Sequence, residues 1–190
     1  MSPLRLILAS TSPRRHELLS RLGFPFEVAS PRFEENPTAL SATEEVMYFA
    51  EEKARSLARN FPDDWILGCD TLVAVDGEKL GKPRDEVDAR QTLKKLSGRE
   101  HEVYSGLVLF QPKSGVLKKY LAKAVVSFRK ISDEEITAYL KTGEPFGKAG
   151  SYAIQGQARK FVEQIVGEEE TVIGLPLREL SGWLKILFPS

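Results

Sequence analysis

Cysteine is nearly absent from this sequence: Cys69 is the single one among 190 residues. That excludes an intramolecular disulfide and a metal site built from several thiolates. Histidine is scarce too. His16 and His101 stand far apart with no metal-ligand spacing, so surface or helix roles are expected of both. Net charge is missing as well, with 27 Lys and Arg against 27 Asp and Glu. A general binder of polyanions carries a positive excess, and no basic-aromatic stripe of the kind that holds a nucleic acid is present, so any basic site is local. No apolar run approaches the roughly 20 residues that span a bilayer. The apolar stretch near the N-terminus is too short for a secretory signal and lacks a cleavage region. A cytoplasmic protein with no membrane and no nucleic-acid partner is the expectation.

What the chain does have is the composition of a folded domain, 42% hydrophobic and 28% charged, and enough length for one compact core with room for two lobes. Its patterns alternate between strand and helix. Leu4 to Ala9 reads as a buried strand, Arg14 to Leu22 as a helix ending near Gly23, and Phe24 to Ala29 as a second strand. Pro31 to Ser41 is loop-like. Thr43 to Asn60 then reads as a long helix, with Val46, Phe49, Ala50, Ala54 and Leu57 at helical spacing. Thr43 lacks the reciprocal acid of a capping box, although Glu44 and Glu45 suit a helix start. Trp65 to Gly68 is an apolar strand running into Cys69-Asp70-Thr71. Leu72 to Leu80 is a hairpin, because Asp76-Gly77 favours a tight primed turn.

Further along, Glu86 to Leu96 is a helix stopped by Ser97-Gly98. Glu102 to Phe110 and Val116 to Phe128 are long strands. Ser132 to Leu140 opens with a capping-box signature. Gly143 to Gly156 is an ordered loop whose length invites a role. Phe161 to Val166 is a short strand and Pro176 to Leu187 a last helix. With no repeat or linker, the expectation is a single α/β domain over residues 1–190, its central hairpins at about 100–130 contributing to a second lobe, with a small-molecule cleft between the lobes.

Chemistry concentrates first at Ser10-Thr11-Ser12-Pro13-Arg14-Arg15, where a strand hands over to a helix. Ser12 suits the N-cap and Pro13 the first helical position. Free amides, the positive end of the helix and two guanidiniums then face one way, as phosphate oxygens require. Asp70 ends a buried strand and faces the ligand crevice of such sheets; it suits a base, a metal ligand or a plain turn-capping carboxylate. Glu34 and Glu35 fit either Mg²⁺ or Mn²⁺ binding beside Asp70 or a solvated loop. Lys53 and Lys82 are ordinary surface lysines when taken alone. Lys82 sits in Gly81-Lys82-Pro83, where Gly permits close approach of a ligand, yet Pro83 replaces the hydroxyl of a Walker A loop. Cys69 reads as a small buried side chain, and Ser10 and Ser12 lack the elbow of a serine nucleophile. Gln155 carries both a donor and an acceptor, which suits reading a base edge, and loop polarity explains it equally well.

Taken together, these segments resemble the Maf family of nucleoside triphosphate pyrophosphatases. The matching stretches are Ala9 to Arg15, Glu34-Glu35, Glu52-Lys53-Ala54, Gly68 to Thr71, Leu80 to Pro83, Leu96 to Arg99, Lys148 to Gly156 and Gly174 to Leu177. Each is weak alone; their order covers almost the whole chain. The resemblance implies an α/β, two-lobed mixed sheet with flanking helices around a nucleotide cleft, ITPase-like, often as a homodimer. It implies hydrolysis of a nucleoside triphosphate to monophosphate and pyrophosphate with a divalent cation, Mg²⁺ or Mn²⁺. By the same resemblance Asp70 is the catalytic residue, and Glu35 joins it at the metal. Ser10, Arg14, Arg15, Lys53 and Lys82 then line the phosphates. Cys69 stands where alanine or serine is common. Arg14, Thr71 and Gln155 resemble the branch acting on dTTP and UTP, whereas the 7-methyl-GTP branch has Trp, Gln and Glu there. Modified pyrimidine triphosphates share the same base edge. Two other readings stay open: a pyrophosphatase for other nucleotides, and a non-catalytic nucleotide-binding regulator of cell division.

Overall fold

A computed structural model describes residues 5–189; Leu4, expected in the first strand, lies outside the described residues. The elements run β1 (Leu6–Ala9), α1 (Pro13–Ser20), β2 (Phe26–Ala29), α2 (Ala42–Arg55), β3 (Trp65–Val75), β4 (Glu78–Leu80), α3 (Glu86–Leu96), β5 (Glu100–Gln111), β6 (Val116–Phe128), α4 (Asp133–Leu140), β7 (Val162–Val166), α5 (Glu169–Ile173) and α6 (Leu177–Leu187). Short 3₁₀ turns occupy Ala149–Ser151 and Gln157–Phe161. The strands form one seven-stranded sheet in the order β2-β1-β3-β5-β6-β7, with β4 also paired to β3. The sheet is mixed: β1 is parallel to β2 and β3, while β3–β4 and β6–β7 are antiparallel. Among the described residues no helix is long and apolar enough to cross a membrane.

Local signals set most boundaries. Asp76 and Gly77 both take positive φ, 50° and 77°, which is the primed turn expected between β3 and β4. Ser132 and Glu135 form the expected reciprocal box at the start of α4. Other expectations need correction. Ser12 occupies the N-cap position of α1 and Pro13 follows it, but the Ser12 side chain makes no capping hydrogen bond; its amide instead donates to Ser10 Oγ at 3.2 Å. The capping box of α2 begins at Ser41, paired with Glu44, two residues before Thr43. That helix ends at Arg55, and residues 56–60 continue as turns. His101 is neither on a helix nor at the surface: it lies on β5, 1% exposed. The short helix α5 carries too little periodicity to have been expected.

The chain divides into two compact units. The first holds the residues up to Asp70, Ser105–Ala122 and those from Gly174 on. In it β1 lies between β2 and β3, buried along its whole length. Ile7, Ala9, Ile66, Val108 and Phe110 meet Ala50 and Ala54 of α2, and Leu57 of the turns that follow it, in one apolar cluster. Two glycines let α2 approach the strands this closely. A Cβ on Gly68 would collide with the Ala50 carbonyl oxygen, and one on Gly106 would lie 2.6 Å from that of Val46.

The second unit holds Thr71–Tyr104 and Lys123–Ile173. His101, Phe128, Tyr152 and Phe161 form a chain of edge-to-face rings there. The His101 Nε2 and Tyr152 hydroxyl are 2.8 Å apart. The Ala149–Ser151 turn lies against β3, where a Cβ on Gly150 would come 2.9 Å from Val73 Cγ2.

Candidate active site

The parallel strands of the first unit create the site. The chain passes from β1 to β2 on one side, then crosses β1 to reach β3 on the other. Such a reversal opens a crevice beyond the carboxyl ends of the strands. Ala9, the last residue of β1, pairs with Gly68. Ser10 therefore leaves β1 where β3 continues as Cys69-Asp70. Asp70 is thus not at a strand end, as expected, but in the middle of a continuous β3, just past its last pairing with β1.

Three side chains converge on that point. The Lys53 ammonium lies 2.6 Å from Asp70 Oδ1 and 2.6 Å from Glu35 Oε1. Lys53 projects from the buried stripe of α2, in step with Val46, Phe49 and Ala50. Glu35 arrives on the loop after β2, and that loop is tied along α2. The Arg32 amide donates to Ser56 Oγ at 3.0 Å, the Phe33 ring meets Tyr48 and Phe49, and the Thr38 hydroxyl donates to the buried Glu45. Glu45 is a residue whose role the sequence did not disclose; a helix N-terminus explained it sufficiently.

Arg15 completes the charged cluster. Its Nε donates to the Gly174 carbonyl at 3.0 Å, and its Nη1 lies 3.5 Å from Ser10 Oγ. The segment after Gly174 therefore sets where this guanidinium points. Arg14, beside it on the first turn of α1, is half-buried. Burial pushes the Asp70 carboxyl above the usual aspartate range, while the positive charges of Lys53 and Arg15 pull against that rise. Burial also pushes the Cys69 thiol up to about 11, so it is a small buried side chain rather than a nucleophile.

The remaining expected residues belong to the second unit. Thr71 is half-buried on β3, on the strand face it shares with Val73. Lys82 and Gln155 are exposed. The segments that carry them are joined, since the Gly150 amide donates to the Gly81 carbonyl at 3.2 Å.

The donor set suits a hard divalent cation. Two carboxylates already converge on one positive charge, the Lys53 ammonium, and each has a second oxygen. Mg²⁺ and Mn²⁺ take one or two carboxylates together with phosphate oxygens and water. Among the described residues no cluster of three or more His, Cys, Asp or Glu side chains is assembled. The arrangement therefore fits an ion shared with a phosphate ligand better than a closed structural site.

Comparison with known proteins bears on what this site does. The family described as Maf-like protein matches residues 5–187. A dTTP/UTP pyrophosphatase of Syntrophus aciditrophicus is 44% identical, over 95% of this chain and 89% of that protein. One from Ruminiclostridium cellulolyticum is 44% identical over 96% and 95%, and one from Aquifex aeolicus 45% over 93% and 92%. Among solved structures, the Staphylococcus aureus Ham1 protein superposes with a TM-score of 0.55 over 95% of this chain and 98% of its own. At 13% identity, that likeness speaks to the fold alone.

Proposed function

This chain belongs to the Maf-like protein family, and on that footing we propose that it hydrolyses dTTP and UTP to the monophosphate and pyrophosphate, the substrates named for its relatives. The observation that carries the reading is the buried Asp70 carboxylate held by Lys53 beside Arg15. A carboxyl raised by burial is a better base near neutral pH than an exposed one. Asp70 accepts a proton from the water that attacks the α-phosphorus. The new P–O bond forms as the bond to the β-phosphate bridge breaks, and pyrophosphate leaves with the bonding pair. Ser10, Arg14, Arg15, Lys53 and Lys82 hold the phosphate oxygens and meet the charge that develops on the leaving group. Positioning and fixed electrostatics then supply most of the acceleration.

Glu35 and Asp70 are the residues to hold Mg²⁺ or Mn²⁺. When bound, the ion supplies Lewis-acid charge to the phosphate oxygens. At the other end of the substrate, Gln155 pairs with the O4 and N3–H edge that uracil and thymine share, with Thr71 and Arg14 as its companions. Modified pyrimidines that keep this edge are substrates on the same grounds. The place of action is the cytoplasmic nucleotide pool, and a homodimer is the assembly the family suggests.

Pyrophosphate release from a panel of dTTP, UTP, dCTP, ATP and 7-methyl-GTP, run with Mg²⁺ and with Mn²⁺, tests this reading. Fastest turnover of dTTP and UTP is expected. A strong preference for 7-methyl-GTP would overturn the pyrimidine assignment, and tight binding without release would make the protein a nucleotide-binding regulator instead.

A further inference from the structure

Glu144 is not among the residues expected to carry chemistry, yet three donors converge on its carboxylate. The Tyr139 hydroxyl donates to Oε1 at 2.8 Å, the Gln157 amide to Oε2 at 2.8 Å and the Ala158 amide to Oε1 at 3.3 Å. The two amides open the 3₁₀ turn Gln157–Phe161, where a helical turn leaves its first N–H groups without acceptors of its own. Tyr139 is itself immobilised, fully buried with its ring edge-on to Phe161 at 5.3 Å between centroids. The carboxylate thus ties a rigid aromatic to the backbone two and three residues after Gln155. Gly156 makes room for this, because a Cβ there would collide with the Glu144 carboxylate. On the other side of Gln155, Ser151 to Ile154 are all buried. The Gln155 backbone is held from both sides while its side chain is exposed.

We infer that Glu144 is the positioning residue for Gln155, clamping the turn behind it so that the carboxamide meets the base at one fixed place and discriminates uracil and thymine from cytosine. The inference rests on the proposed base-reading role of Gln155. Cytosine reverses the edge, offering an amino donor where uracil offers O4 and an acceptor where uracil offers N3–H. A carboxamide carried on a fixed turn meets the uracil edge with both hydrogen bonds at full strength, and one carried on a loose turn makes them poorly, so the preference that this pairing supplies shrinks. The clamp needs a carboxylate. A glutamine keeps one acceptor oxygen and sets an N–H₂ group against a backbone N–H.

The test is steady-state kinetics on dTTP and dCTP for the wild type, Glu144→Gln, Gln155→Ala and the double variant, with folding checked by thermal melting. Loss of one such hydrogen bond is worth a factor of about ten. Glu144→Gln is expected to raise the dTTP KM about tenfold and cut the dTTP-over-dCTP preference about tenfold, with kcat within about threefold. Tyr139→Phe, which removes one donor, shifts the preference in the same direction by about threefold and carries the test if Glu144→Gln does not fold. In the double variant the preference falls no further than in Gln155→Ala alone, because both changes act through one contact. An unchanged preference in Glu144→Gln, or in Tyr139→Phe where that variant carries the test, overturns the positioning role while Gln155→Ala still loses it. Additive losses in the double variant overturn it too. If Gln155→Ala keeps the wild-type preference, the base-reading role falls, and the inference with it.

Discussion

Lys53 and Asp70 meet at 2.6 Å as a buried ion pair, 5% and 7% exposed. Such a pair is costly to bury, and its stability depends on each partner neutralising the other. The same ammonium also reaches Glu35, so one cation serves two carboxylates. This asymmetry decides which substitutions the fold tolerates.

Lys53→Met removes the cation and leaves a buried Asp70 carboxylate beside Glu35. The expected loss is about 3–5 kcal/mol. Asp70→Asn leaves Lys53 still paired to Glu35, and the expected loss is only about 1 kcal/mol. Urea unfolding at pH 7 measures both; equal losses would contradict the shared-cation arrangement.

Gly68 and Gly182 should respond to alanine with opposite sign. At Gly68 the new methyl collides with the backbone of α2, so α2 must shift away from β3, carrying Lys53 with it. Overpacking of this kind costs roughly 1–3 kcal/mol or more. Gly182 lies within α6 with nothing near its absent side chain, and Gly182→Ala gains about 0.5–1 kcal/mol of helix propensity. Melting temperatures of the two variants check the pair of signs.

Burial pulls the His101 imidazole down to about 4 from 6.5. The unfolded chain therefore takes up a proton at a higher pH than the folded one. This contribution to stability is fully present above pH 6.5 and is lost as the pH falls through about 4. Its full size is roughly 3 kcal/mol. His101→Gln, which can still meet the Tyr152 hydroxyl, should flatten the fall in stability between pH 6.5 and 4.5. Denaturant titrations of both proteins at these two pH values measure the difference.

Glu35→Gln weakens the carboxylate pair without emptying it. The half-saturating Mg²⁺ concentration for pyrophosphate release should rise about tenfold or more, as expected when one hard ligand loses its charge. A metal titration at saturating dTTP reads this directly. An unchanged midpoint would remove Glu35 from the metal.

Where the chemistry is local, the sequence was legible. The turn at Asp76-Gly77, the stop of α3 before Ser97-Gly98 and the box at Ser132 and Glu135 all follow from the residues that make them. Lys53 reads from the residues alone as a surface lysine; the structure buries it on the stripe of Phe49 and Ala50, against an Asp70 that another element supplies. Asp70 was misplaced by half a strand. The break after Gly68 marks where β1 stops pairing, not where β3 stops, and the first strand of the expected hairpin is the continuation of β3 itself. His101, Glu45 and Glu144 were opaque. Their partners lie on other elements, and no spacing in the sequence announces a Tyr152, a Thr38 or a turn at Gln157.

Asp70→Asn, assayed for pyrophosphate release from dTTP at saturating metal, tests the central claim most directly. With the fold retained and dTTP still bound, turnover should fall by about 10²–10⁴-fold, the range a positioned general base supplies. Release at the wild-type rate from this variant would contradict the role of Asp70 and, with it, the chemistry assigned to the buried pair.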